Sequence, residues 1–382
     1  MTGLDERTCA ATAPPARELR TAPADEPRPP TPRAGTAPLA RELLTTPADR
    51  FAQHLADRIE RASAALGATP VALDGPAVLR ERSTMERLPP AGGTRSPGGG
   101  CHLLPCADGW FAISLARPTD VELLPAWLAL AGGPTPSTPT TADDLRPLVA
   151  DLAGRRLAEA ATVVGLPVSV VGEVEAGSVD GVAGRDLGAR TARRPLRVVD
   201  LSALWAGPLC GRIIGLAGAS VTKVESTHRR DASRSGNPLL FAALNDDKAL
   251  AQVDLSTTAG VEELRAMVRA SDVVIESSRP RALEQLGIVA LDELARPDGP
   301  TLWISITGHG RGSPRVAFGD DAAVAGGLVA WTDGEPRFAG DALADPLAGL
   351  AGAAAALEAL VAGRRALLDV PLAQVAAAAA GA

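Results

Sequence analysis

Residues 196–225, LRVVDLSALWAGPLCGRIIGLAGASVTKVE, constrain the fold of this chain more than any other stretch, because they read without interruption as strand, turn, helix and second strand. Val198, Val199 and Leu201 form a short buried-strand run. Gly207-Pro208 then sets a fixed φ where a helix begins, a position that needs no backbone donor. Ile213, Ile214 and Leu216 supply an apolar helical face, Gly218 ends it, and residues 220–224 return as a strand parallel to the first. A right-handed crossover leaves the N-terminus of this helix at the carboxyl edge of the sheet, where phosphate groups bind readily. The alternation continues, with strand candidates at 252–255, 272–276 and 302–307 and helical patterns over 260–269 and around 283–294. The expected class is α/β with a doubly wound parallel sheet, which by itself implies no function.

Composition divides the rest. Residues 1–45 are rich in Pro, Ala, Thr and Arg with little apolar periodicity, which predicts a disordered tail, and they lack the apolar run of a signal peptide. Residues 46–173 read as a smaller domain, 174–195 as a linker and 196–382 as the sheet domain. The apolar run at 347–363 is Ala-rich, contains Glu358 and is short for a bilayer, so no membrane partner is expected. Cys9, Cys101, Cys106 and Cys210 are dispersed, as in a reduced cytoplasmic protein. Cys101, His102 and Cys106 lack a fourth ligand at a suitable spacing, so no metal is expected. A net charge of −7 argues against nucleic acid, although Arg193, Arg194, Arg197, Lys223, Arg229, Arg230 and Arg234 crowd the start of the sheet. That local charge suits either bound phosphates or a solvated loop.

The order of motifs resembles the class III CoA-transferase (CaiB/BaiF) family. VVDLSALWAGPL is similar to its opening strand and turn and GASVTKVE to its second strand. NDDKALAQVDL, SDVVIESSRPRALEQLGI, ISITGHGRGSP and, after DGEPRFAG, DALADPLAGLAGAAAALEAL follow in the family's order across residues 196–373. Within 92–172, GGTRSPGGGCHLLPCADGWFAISLARPTDVELLPAWL and RLAEAATVVGLPVSVV resemble the family's smaller α+β domain, which ordinarily follows the catalytic half. The resemblance thus implies a Rossmann-like half preceded by its smaller domain, a permuted order tolerated where termini meet at exposed loops. Lys223 and Lys248, the chain's only lysines, both fall inside these motifs, which implies a structural or CoA-contact role.

By the same resemblance, the protein is expected to move CoA between an acyl-CoA thioester and a carboxylic acid, with CoA as substrate and no permanently bound cofactor. A homodimer, or a hetero-complex with another transferase subunit, is implied. The chemistry needs a carboxylate that attacks the thioester, expels CoA thiolate and forms first a mixed anhydride, then an aspartyl-CoA thioester. The matching residue is Asp345, with Asp341 as the alternative four residues earlier. By residue type alone, an aspartate followed by proline at the head of an Ala/Leu helix is an N-cap, a role that stabilises the anion and weakens the nucleophile. Gly98, Gly99 and Gly100 correspond to the family's glycine lid, and His309 to an active-site neighbour. CoA contacts are implied at Leu204, Trp205, Ala206, Ser226, Val253, Ser256, Ser277, Gln285 and Thr307. At Ser226, Ser256, Gln285 and Thr307 the family often carries basic residues, so Arg229, Arg230, Arg279 or Arg281 would have to replace them. Two alternatives remain at this point. One is a racemase acting alpha to a thioester, in which Asp320, at the histidine position, or His309 would have to serve as the second base. The other is a non-catalytic subunit, suggested by the missing phosphate ligands and the rearranged order.

Overall fold

The computed structural model describes residues 46–134, 141–193, 195–278 and 280–382; the predicted tail, with Cys9, and also Arg194 and Arg279 lie outside them. Thr46 caps helix α1 (Pro47–Ala65) by accepting the Asp49 N–H at 3.1 Å, and the short helices α2 (Gly75–Leu79) and α3 (Glu81–Met85) follow. Strands β1 (Cys101–Cys106) and β2 (Gly109–Ser114) form the hairpin around DGW, with Leu103 opposite Ala112. Helices α4 (Pro118–Ala131), α5 (Ala142–Val149) and α6 (Gly154–Val164) pack around it, and β3 (Val168–Val170) completes a three-stranded sheet. Phe111, Trp127, Leu128 and Leu157 are core residues of this unit, with Trp127 Nε1 donating to the Leu157 carbonyl at 2.9 Å.

The remaining elements, in order, are β4 (Ala183–Ala189), β5 (Arg197–Asp200), α7 (Ala206–Leu216), β6 (Ser220–Ser226), α8 (Ser233–Gly236), α9 (Pro238–Asn245) and β7 (Ala249–Val253). Then come α10 (Thr258–Ala270), β8 (Val273–Glu276), α11 (Pro280–Gln285), α12 (Ala290–Ala295), β9 (Leu302–Thr307) and α13 (Gly319–Ala325). The hairpin β10 (Val329–Thr332) and β11 (Glu335–Phe338), α14 (Ala344–Val361), β12 (Arg364–Pro371) and α15 (Leu372–Ala380) complete the chain. The large sheet runs β4-β12-β9-β8-β5-β6-β7, parallel except for β4. Strand order reverses between β5 and β8, the place where ligands enter such sheets.

Alternate residues of the strands face two apolar layers, which is why their sequences are continuously hydrophobic. Val198, Val273, Ile275 and Ile304 face the layer of α1, α7, α14 and α15, while Val199, Val274 and Trp303 face that of α10 and α12. By length and composition α14 resembles a membrane span, but it is a core helix with 78% of its residues buried inside the protein.

The structure departs from sequence expectation in four places. Helix α1, read with the smaller domain, packs through Phe51, Leu55 and Ile59 into the core of the large sheet. The supposed linker contains β4, whose AGRDLGA sequence has almost no apolar signal because it is an exposed edge strand held by its ladder to β12. GRRALLDV, which is not among the strand candidates, runs as β12 beside β9. Strand β7 begins at Ala249 rather than 252 because pairing with β6, Thr222 opposite Ala249, sets its register.

Candidate active site

Asp200 ends β5 fully buried. Burial alone would raise its carboxyl, but Lys248, with Nζ 2.8 Å from Oδ2, and Lys223 outweigh it and hold the group below the usual carboxylate range. Lys248 Nζ also donates to the Pro208 carbonyl at 2.8 Å and to Asn245 Oδ1 at 3.0 Å, which accounts for all its hydrogens. Lys223, 0% exposed, lies 3.0 Å from Asp231 and donates to the Ser202 carbonyl at 2.8 Å. Both lysines are framework. Asp231 also accepts the Leu204 N–H at 3.2 Å, and the Ala203 N–H donates to Ser277 Oγ at 3.0 Å across the switch point. The resulting bend holds Leu204 at φ +68, a conformation costly for a side chain of this kind. A Cβ at Gly207 would stand 2.1 Å from that of Ser202, so this turn requires glycine.

Helix α14 starts beside the bend, packed so closely on α7 that a Cβ at Gly349 would stand 2.8 Å from the Ala206 carbonyl. The N-cap of α14 is Leu343 and no side chain caps the helix, so Asp345, its second residue, is not the cap its residue type suggested. Burial pushes the half-buried Asp345 carboxyl up to about 7; Arg82 pulls it down, while Asp320, Asp341 and Asp321 add to the rise.

Arg82, on α3, donates through Nε to Asp341 Oδ2 at 2.7 Å and through Nη2 to Oδ1, and its guanidinium lies 5.2 Å from the Trp205 ring centroid. Both oxygens of Asp341, the alternative to Asp345, are thereby engaged by the guanidinium. Asp320 accepts the Ala342 N–H at 2.8 Å and a bond from Ser96, yet burial pushes it up to about 6. Asp321 accepts from Ser114 Oγ at 2.6 Å and from the Phe318 N–H at 3.0 Å; its Oδ2 has no partner among the described residues, and burial pushes it up to about 7.

The glycine loop closes on the same place. A Cβ at Gly98 would stand 3.0 Å from Arg82 Nη2 and 3.6 Å from Asp341 Oδ1, and Gly99, at φ +76, accepts from Arg95 Nε at 3.0 Å. A Cβ at Gly319 would meet Asp345 Oδ2 at 2.4 Å and the Ala342 carbonyl at 2.6 Å. Gly319→Ala is therefore expected to destabilise the protein by about 1–3 kcal/mol in urea unfolding. An unchanged unfolding midpoint would mean that α13 does not approach this carboxylate so closely.

The other predicted contacts divide by exposure. Leu204, Ser226, Val253, Ser277 and Thr307 lie at the carboxyl ends of adjacent parallel strands, on one edge of the sheet. Trp205 and Ala206 are buried beneath that edge, and Trp205 Nε1 has no partner among the described residues. Val253 turns its side chain into the core and away from any ligand, because strand alternation directs it there. Ser226 Oγ accepts the His228 N–H at 3.3 Å and Ser256 Oγ donates to Asp254 at 2.6 Å, both local bonds, while Thr307 Oγ1 donates to Asp369 on the neighbouring strand β12 at 3.1 Å. Gln285, Arg229, Arg230 and Arg281 are exposed, whereas Arg193 and Arg234 are paired with Asp272 and Glu225.

His309 is half-buried with Nε2 unpartnered among the described residues; burial, then Arg315, push it down to about 3, so it is neutral. Cys101 and His102 are neighbours on β1 and face opposite sides of it, and no group of His, Cys, Asp or Glu among the described residues is arranged about a metal. Sequence reasoning missed Arg82 and Ser96. Arg82 sits in the charged run RERSTMER, which carries no signal of burial.

Residues 194–381 match the family model for CoA-transferase family III. Among curated proteins, a succinyl-CoA–D-citramalate CoA-transferase of Chloroflexus aurantiacus is 33% identical over 183 residues, 44% of this chain and 45% of that protein. An acyl-CoA transferase of Fusarium pseudograminearum is 31% identical over 191 residues, 44% of this chain and 42% of the other. The chain thus spans about half the length of the curated relatives it matches. A crystal structure of a CaiB/BaiF family protein from Brucella suis is similar at 28% identity and a TM-score of 0.44, covering 49% of this chain and 55% of that one. Residues 194–381, which hold the switch-point bend and Asp345, are the part of the chain that is similar to CoA-transferase family III.

Proposed function

We propose that this protein transfers CoA between an acyl-CoA thioester and a carboxylic acid, with Asp345 as the nucleophile. The observation that carries the reading is the Asp345 carboxylate, free of any capping bond, desolvated and flanked by Arg82 beside the Trp205 bend. Its oxygen attacks the thioester carbonyl, the carbon–sulfur bond breaks, and CoA leaves as thiolate from a mixed anhydride between the acyl group and Asp345. The thiolate then attacks the Asp345 carbonyl, releases the first acid as its carboxylate and leaves an aspartyl-CoA thioester. An acceptor carboxylate repeats the two steps in reverse, which regenerates Asp345 and forms the new acyl-CoA. Gly98, Gly99 and Gly100, closing over the site, keep water from the anhydride.

The relatives' names include succinyl-CoA with D-citramalate and succinate with glutarate, so succinyl-CoA is the first probe. Incubation with succinyl-CoA and hydroxylamine is expected to leave a hydroxamate on Asp345, located by peptide mass spectrometry. A second reading, proton exchange alpha to the thioester, is favoured by Asp320, which adjoins Gly319 against the Asp345 carboxylate. It predicts deuterium uptake at the alpha carbon without a hydroxamate. Neither signal, with no rise in melting temperature on adding CoA, would leave a non-catalytic subunit.

A further inference from the structure

We propose that Arg82 is a positioning residue of the Asp345 site: its guanidinium, carried in on α3, locks Asp341, balances the charge around Asp345 and seats the glycine loop. One edge of the guanidinium is taken by the bidentate bond to Asp341, and one face lies toward Trp205. Gly98 closes over Nη2 where a side chain would stand 3.0 Å away. The side chains of Arg82 and Asp341 are 16% and 2% exposed, so water screens the pair weakly. A planar cation held on three sides stays where it is, which a lysine on a flexible stem does not.

The charged groups facing Asp345 are Arg82 from α3, Asp320 and Asp321 from α13, and Asp341 from the loop before α14. Among them Arg82 is the cation, and part of its charge is offset by Asp341. Removing Arg82 leaves the carboxylates to repel one another, whereas neutralising Asp341 frees the charge of Arg82 to act on Asp345. The two changes therefore act on Asp345 with opposite sign. The consequence for CoA transfer, that Arg82 sets how much of the nucleophile is anionic, rests on the reading of Asp345 given above. The electrostatic role does not.

The test titrates Asp345 in the full-length protein without CoA, through the pH dependence of its modification by a water-soluble carbodiimide and an amine, read by peptide mass spectrometry. Arg82→Gln should move the midpoint up and Asp341→Asn should move it down, each by about one pH unit, a roughly tenfold change in the anionic fraction below the midpoint. Arg82→Lys, which keeps the charge but not the bidentate bond, should fall between Arg82→Gln and the unaltered protein. An unmoved midpoint in Arg82→Gln, or shifts of the same sign in Arg82→Gln and Asp341→Asn, would overturn the proposal, because loose packing alone does not reverse sign. If the midpoints move as stated while succinyl-CoA forms no adduct, the role of Arg82 stands and the transferase reading fails.

Discussion

Asp345→Asn is expected to abolish CoA transfer while making the protein more stable above neutral pH. A covalent nucleophile has no substitute, so turnover should fall roughly 10⁴-fold or more. Stability moves the other way because the folded carboxyl is pushed up to about 7 from its ordinary 3.8. A carboxyl raised in this way binds its proton more tightly when folded. Its contribution to stability is therefore fully present below the unfolded value and is lost as pH rises through the folded one. The full shift corresponds to about 4 kcal/mol, and partial exposure of the group reduces the gain on substitution to about 2 kcal/mol. Urea unfolding at about pH 5 and about pH 8.5 checks the sign: the variant's gain over the parent should be smaller at the lower pH than at the higher. A variant less stable at both would mean that Asp345 is structural.

Lys248→Met should act on the same bend and destabilise it by about 3–5 kcal/mol, the usual consequence of stranding one partner of a buried pair. The stranded group is Asp200, which is fully buried and relies on Lys248 to stay ionised. The variant also leaves the Pro208 carbonyl and Asn245 Oδ1 without the donor they share. With its folded value held low by the lysine, Asp200 contributes stability that is present above the unfolded value and lost as pH falls through the folded one. Without the lysine its value rises, so the variant should lose most near neutral pH and least in acid. Adding Asp200→Asn should recover most of the loss. Urea unfolding of the single and double variants measures this, and a loss below about 1 kcal/mol would mean that the lysine is solvated, as for an ordinary surface pair.

How far the site was legible follows the distance over which each signal acts. Val198, Val199, Gly207-Pro208 and Gly218 act on their own neighbours, so the strand, helix and return strand could be read directly. The lysines were recognised as unusual, but an ammonium at a strand end reads the same whether it reaches water or a buried aspartate. Lys248 meets its partner 48 residues away across two strands. The capping expectation at Asp345 failed because the chain enters α14 through Leu343 in helical conformation, φ −53 and ψ −30, which makes Asp345 part of the first turn. That entry depends on how the hairpin before it packs.

The sequence by itself determined the parallel α/β architecture, the switch-point bend and the carboxylate at the head of α14, because apolar periodicity and backbone-restricting residues act within a few positions of themselves. Only the tertiary structure decided that α1 joins the large core, that AGRDLGA becomes an edge strand and that Arg82 meets Asp341 across 259 residues. Those outcomes depend on burial and charge pairing between segments remote in the chain, where each residue's environment is supplied almost entirely by its partners.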